Sequence, residues 1–214
     1  MYVNNDPVNY LDLWGLDSVL LTKRDSVLTA GHSAHAIRSY DEYGNPQGYT
    51  VYEVGPTRED QHTVSSNYLD PSQALLAGLL GGSTIAGLSG IQTGVSVTGG
   101  ITAIGSLVIG SNITPKVGVN RYEINNLDDL PDTYNRRIVF DTTYVQDKAI
   151  RDTSETLGEN FGYYNVLTNN CIQYSANSLS AGGVVISNMP VIPNIEHSYI
   201  LQHNSDIINR RYGD

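Results

Sequence analysis

The chain has 214 residues, enough to bury one core with a small appendage, so one main domain is expected. Its formal charge of −10, with only 12 Lys and Arg and no basic run, argues against a nucleic-acid partner, because neutralising phosphates requires clustered cations. A single cysteine excludes an intrachain disulfide and a multi-cysteine zinc site, and the five histidines do not fall at zinc-ligand spacing, so neither a metal nor another cofactor is expected.

Residues 1–16 read as the tail of something rather than the start of a domain, since Asn4-Asn5-Asp6-Pro7-Val8-Asn9-Tyr10 is turn chemistry. Met1 is followed by polar Asn4, Asn5 and Asp6, not by a basic stretch and an apolar run, so export by a signal peptide is not expected. Pro7, Asp12, Gly15 and Leu16 resemble the closing segment of the RHS-repeat-associated core. In that family the core forms a β-cage around a toxin and cuts itself after Gly-Leu. The resemblance implies cleavage between Leu16 and Asp17, with Asp12 as one of the catalytic carboxylates. Leu13 replaces the family's usual proline, and the partner aspartate upstream is not in this chain, so the fragment alone is not expected to cut itself. The same resemblance implies a secreted effector delivered into a target cell, often by a type VI apparatus or an insecticidal complex. Its implied partners are the RHS core shell and a cognate immunity protein.

After Asp17, strands are expected at residues 18–21, 26–29, 35–40 and 49–54. The last two are separated by the turn signal Tyr43-Gly44-Asn45-Pro46, which makes them a hairpin or meander. Further on, residues 136–140 read as a strand and residues 143–157 as a helix, with Val145, Ala149 and Ile150 apolar. A second helix starts at Cys171. Asn170 suits its N-cap, Ile172, Ala176 and Leu179 share a face, and Ala181-Gly182-Gly183 supplies the stop. From Val184 the chain reads as a short apolar piece, a loop through Pro190 and Pro193, and a polar tail. The fold class is therefore α+β.

Residues 71–115 carry no charge and no histidine, and hold ten of the 21 glycines. Read as helices, residues 74–91 and 95–109 approach the length of about 20 residues that spans a bilayer. Gly78, Gly82, Ala86 and Gly90 recur at the spacing that lets membrane helices pack closely. A Gly-rich insertion or a buried soluble hairpin fits the same residues. Membrane contact thus remains one alternative, as in a pore-forming toxin.

The chemistry concentrates at Cys171. A thiol at a helix N-terminus meets orphan N–H groups and the positive end of the helix dipole, which favour a thiolate and can hold an oxyanion. A buried packing cysteine is the alternative. A nucleophilic thiol needs a base, and Gly31-His32 ahead of an apolar strand supplies one, with His35 three residues on as a substrate-orienting candidate. Holding the imidazole calls for a third polar group. Tyr52 and Glu53 are the choices and, as strand neighbours, must face opposite ways. Glu53 has the better chemistry, because a carboxylate stabilises imidazolium. Asn169, Asn165 and the cap residue Asn170 are candidates for oxyanion or substrate contacts, and turn or capping roles explain them equally well. His62, His197 and His203 sit in polar sequence and are expected to be exposed. Asp128, Asp129 and Asp141 read as solvated acids.

Gly31-His32, the run from Val51 through Glu53 to Pro56, the run from Arg137 to Asp147, and the run from Tyr164 to Cys171 together resemble a circularly permuted papain-like domain of the lecithin:retinol-acyltransferase-like kind. The resemblance covers most of residues 26–185, with 71–115 as an insertion. It implies an antiparallel sheet packed on the helix that bears the nucleophile. It further implies a Cys171–His32 hydrolase acting on an amide or ester of a protein, peptide or lipid, with acyl transfer or deamidation by the same dyad as alternatives.

Overall fold

The computed structural model describes residues 17–24, 31–57, 61–68, 116–165 and 168–212. It is α+β. Seven strands form one sheet in the order β4-β5-β3-β2-β1-β6-β7, every pairing antiparallel. In chain order they are β1 (Asp17–Lys23), β2 (His32–Tyr40), β3 (Pro46–Pro56), β4 (His62–Tyr68), β5 (Lys116–Ile124), β6 (Arg136–Asp141) and β7 (Ile208–Tyr212). Among the described residues three α-helices accompany them: α1 (Tyr144–Glu159), α2 (Cys171–Ser180) and α3 (Pro193–His203).

Alternation along the strands divides the core into two. Leu20, Ile37, Tyr52 and Phe140 point to the helices and pack with Ile150, Ile172, Leu179 and Ile200. Val19, Leu21, Ala36, Val51 and Val139 point the other way and are covered by Leu130 and Tyr134 from the segment ahead of β6. Both faces of the central strands are therefore buried, which explains why Val19-Leu20-Leu21 is a continuous apolar run rather than an alternating one. Each such side chain, fully buried, stabilises the fold by about 1.5–3 kcal/mol.

Local chemistry sets the helix starts. Thr143 caps α1 in a reciprocal box with Gln146, and Asn170 caps α2 in the same way with Gln173. Helix α2 is buried on most of its surface because it lies against both α1 and the sheet. Its chain reverses at Gly183, which has φ +95°.

The expected strands at 18–21, 35–40, 49–54 and 136–140 lie inside β1, β2, β3 and β6, and the expected helix at 143–157 lies within one residue of α1 at its start. Strand β2 begins three residues earlier than expected, at His32. The expected strand at 26–29 lies outside the described residues, as do Asp12, Leu16 and residues 71–115. Asp17 opens β1 as a buried residue opposite Asp141 of β6. The structure corrects the reading of the C-terminal region: residues expected to form a loop and a polar tail build α3 and β7. It also corrects His197, expected to be exposed. That ring is buried on α3, with Nδ1 3.0 Å from the Thr22 hydroxyl, and burial with the nearby Arg136 cation lowers its pKa to about 3. His62 and His203 are exposed, and so are Asp128, Asp129 and Asp141.

Candidate active site

The site lies where β2 begins and the N-terminus of α2 comes alongside it. Just ahead of β2, Gly31 lets the chain pass close to α3 and β1: its φ is +88°, and a Cβ there would stand 2.9 Å from the Asn194 side chain and 3.2 Å from the Lys23 carbonyl. The next residue, His32, reaches the Cys171 thiol in hydrogen-bonding contact. Its Nε2 lies 3.2 Å from Glu53 Oε1, so the second ring nitrogen is left for the sulfur. The backbone N–H groups of Ser33 and Ile172 also donate to the sulfur. These three side chains come from β2, β3 and α2, elements far apart in sequence.

Strand alternation decides which of the two histidines, and which of Tyr52 and Glu53, belongs here. His32 and Glu53 share one face, with Lys23 of β1 and Tyr134 beside them. His35 and Tyr52 share the other, stacked with ring centroids 5.2 Å apart beneath the helices. His35 is wholly buried, and its ring nitrogens lie 2.8 Å from the Ser154 hydroxyl and 3.3 Å from the Ser175 hydroxyl. Burial lowers its pKa to about 3, so it is a neutral core histidine with no face left for a substrate.

The electrostatics favour charge separation. Burial alone pulls the His32 pKa down, but the adjacent Cys171 thiolate and the Glu53 carboxylate overcome this and hold it up at about 9. Burial pushes the Cys171 thiol up, yet the His32 imidazolium and the two backbone N–H donors bring it below its ordinary value. Burial likewise opposes ionisation of Glu53, but hydrogen bonding and charge from His32, with Lys23 adding to them, hold its carboxyl well below the usual range. The surroundings of the three groups thus favour thiolate, imidazolium and carboxylate together. That arrangement can deliver a nucleophile and a proton donor to the same carbonyl group.

Asn170 and Asn169 flank the nucleophile, and their side chains are occupied. Asn170 accepts from the Gln173 N–H at 3.0 Å and donates to the Val191 carbonyl at 3.1 Å, tying the helix start to the loop ahead of α3. Asn169 donates to the Tyr163 carbonyl at 2.9 Å and to the Phe161 carbonyl at 3.3 Å. It also lines a cleft of about 300 Å³ that runs beside α2 past Gln173, Tyr174 and Asn177 and has no charged residue in its wall. Asn165 bridges back to Asn169 through both backbone N–H groups at 2.9 Å. Replacing Asn170 by Ala is expected to cost about 1 kcal/mol, read as a lower melting temperature. The alkylation rate of Cys171 should change little, because the backbone N–H groups that face the sulfur stay.

Three further groups belong to the site and carry no sequence signal. Lys23 Nζ lies 3.3 Å from the same Glu53 oxygen that His32 contacts, and 4.4 Å from the centre of the Tyr134 ring. Tyr134 is buried near Glu53, its hydroxyl without a hydrogen-bond partner among the described residues, and the phenol is held protonated by burial and by the charge of Glu53. Tyr164 is kept protonated in the same way by burial and by the neighbouring Cys171. Among the described residues no group of three or more His, Cys, Asp or Glu is placed to hold a metal ion, and no helix is long and apolar enough to cross a membrane. Compared with known proteins, the chain matches no family model, no curated protein and no solved structure.

Proposed function

We propose that residues 17–214 are the toxin end of an RHS-repeat polymorphic toxin and act as a Cys-His hydrolase of the permuted papain-like kind. The observation that carries this reading is the meeting of Cys171, His32 and Glu53 at one helix N-terminus, with the imidazole between thiol and carboxylate. His32 takes the thiol proton, and the thiolate adds to an amide or ester carbonyl carbon. Backbone N–H groups at the start of α2 hold the resulting oxyanion. The imidazolium then protonates the leaving amine or alcohol as the carbon–heteroatom bond breaks, which leaves a thioester on Cys171. Water, deprotonated by His32, attacks the thioester; the acid leaves and the thiol is restored. No cofactor enters the cycle. Peptidase or amidase action is the first reading, and acyl transfer or deamidation uses the same steps with a different acceptor or substrate. In this reading the RHS core shell carries the domain out of the producing cell, an immunity protein protects that cell, and the substrate is met in the target cell. The pore-forming alternative rests on residues 71–115, outside the described residues.

Growth of a bacterial host expressing residues 17–214 tests the reading, as wild type, Cys171→Ala and His32→Ala at matched levels, with and without an export signal. Killing is expected from wild type and from neither variant, and the compartment in which it occurs narrows the substrate to cytoplasmic or cell-wall material. Killing that persists in both folded variants would overturn the hydrolase and leave the membrane alternative.

A further inference from the structure

We propose that Lys23 is a positioning residue for His32: its ammonium group shares one oxygen of Glu53 with the imidazole and so sets how tightly His32 holds its proton. This rests on the Cys-His reading of the site. The geometry is a three-membered charge array on a single atom. Glu53 Oε1 receives Lys23 Nζ at 3.3 Å and His32 Nε2 at 3.2 Å, with side-chain exposures of 18% for Lys23, 14% for His32 and 7% for Glu53. Lys23 is held in that place from below by the Tyr134 ring, 4.4 Å away, and its strand neighbours fix its direction, since Lys23 pairs with His32 across the β1–β2 ladder.

One carboxylate cannot give its full attraction to two cations. Lys23 draws part of it, so the imidazolium is stabilised less than Glu53 alone would stabilise it. The consequence is chemical. An imidazolium too tightly held is a poor acid for an amide leaving group, and a catalytic proton donor works best when its pKa lies near the working pH. The groups that face His32 from the surrounding elements are Cys171 of α2, Glu53 of β3, Lys23 of β1 and Tyr134 ahead of β6, with Tyr164 next to the sulfur. His197 and Arg136 stand with Thr22, on the opposite face of β1. Removing the Lys23 charge therefore acts on His32 chiefly through Glu53, and its sign is upward.

Cys171 is the only thiol in the chain, so its alkylation by iodoacetamide, followed by intact mass across the pH range, reports the site without a known substrate. The wild-type profile of the full chain is expected to rise in two steps, the first as the ion pair forms and the second as His32 loses its proton and frees the thiolate. In Lys23→Met and in Lys23→Gln the second step should move up by roughly one pH unit. In Lys23→Arg, which keeps the charge, it should stay near the wild-type position. Two neutral variants are used so that a folding failure in one leaves the other to decide. A second step that stays in place in the folded neutral variant, or moves as far with Arg as with Met, would overturn the proposal and make Lys23 a packing residue on Tyr134. A wild-type profile with one rise in the ordinary thiol range would show instead that the dyad itself is absent, and the role of Lys23 falls with it.

Discussion

Alkylation of Cys171 by iodoacetamide at pH 6 is expected to fall by at least about a hundredfold when His32 is replaced by Ala. In the wild-type protein the thiol pKa is lowered because the sulfur faces the imidazolium and the N–H groups of Ser33 and Ile172, so Cys171 carries more thiolate at pH 6 than an ordinary thiol does. Without His32 the largest remaining influence is burial, which raises the thiol pKa. A thiol at the reference value of about 8.5 is only roughly one part in three hundred thiolate at pH 6, and burial makes the fraction smaller. A thiolate of lower pKa is intrinsically somewhat less nucleophilic, which takes back part of that difference and leaves about two powers of ten. The rate constant against pH, measured on wild type and His32→Ala with circular dichroism to confirm the fold, decides the matter. Equal rates at pH 6 would mean that Cys171 is a packing cysteine, the alternative its sequence context always allowed.

What the sequence revealed of this site follows from which interactions are local. The Asn170 cap, the Gln173 box and the apolar face of α2 are written within ten residues, so the helix that carries Cys171 was legible along with its first residue. Strand alternation was legible for Tyr52 and Glu53, which it sets on opposite faces, but not for His32, which was expected ahead of the strand and is its first residue. Which face meets the thiol was not legible, because the contact is made at the start of β2, where the N-terminus of α2 comes alongside the strand end, and not on the face that α2 covers. The array of Lys23, Glu53 and Tyr134 joins β1, β3 and the segment before β6, pairs separated by 30 residues or more, and nothing in the run around Lys23 announces it. Of the elements that were missed, β5 is an interior strand that the reading of residues 71–115 and after passed over, while α3, β4 and β7 lack the usual punctuation. Helix α3 has Ile192 at its N-cap with no side-chain cap, so Pro193, which stands at its first turn, read as a loop proline. Strands β4 and β7 are the two edges of the sheet, where one side is unpaired and the sequence need not be apolar. His197 was misplaced for a related reason: its burial comes from α3 packing on β1, not from apolar neighbours in sequence.

Glu53→Gln should destabilise the protein by about 3 kcal/mol at pH 7, since truncating one partner of a buried charge pair leaves the other charge without compensation. Here two cations are left, Lys23 and the His32 imidazolium, on an atom that was 3.3 Å and 3.2 Å from them. The pH dependence has a definite sign. The folded carboxyl of Glu53 is held below its ordinary value of about 4.5, so its contribution is present above that pH and is lost as the pH falls toward the folded value. The gap in stability between wild type and Glu53→Gln should therefore be full at neutral pH and shrink progressively in acid. Urea denaturation of both proteins from pH 3 to pH 8 measures the gap directly. A gap that widens in acid would have the opposite sign and would mean that Glu53 is protonated in the folded protein, in which case it cannot hold the His32 imidazolium.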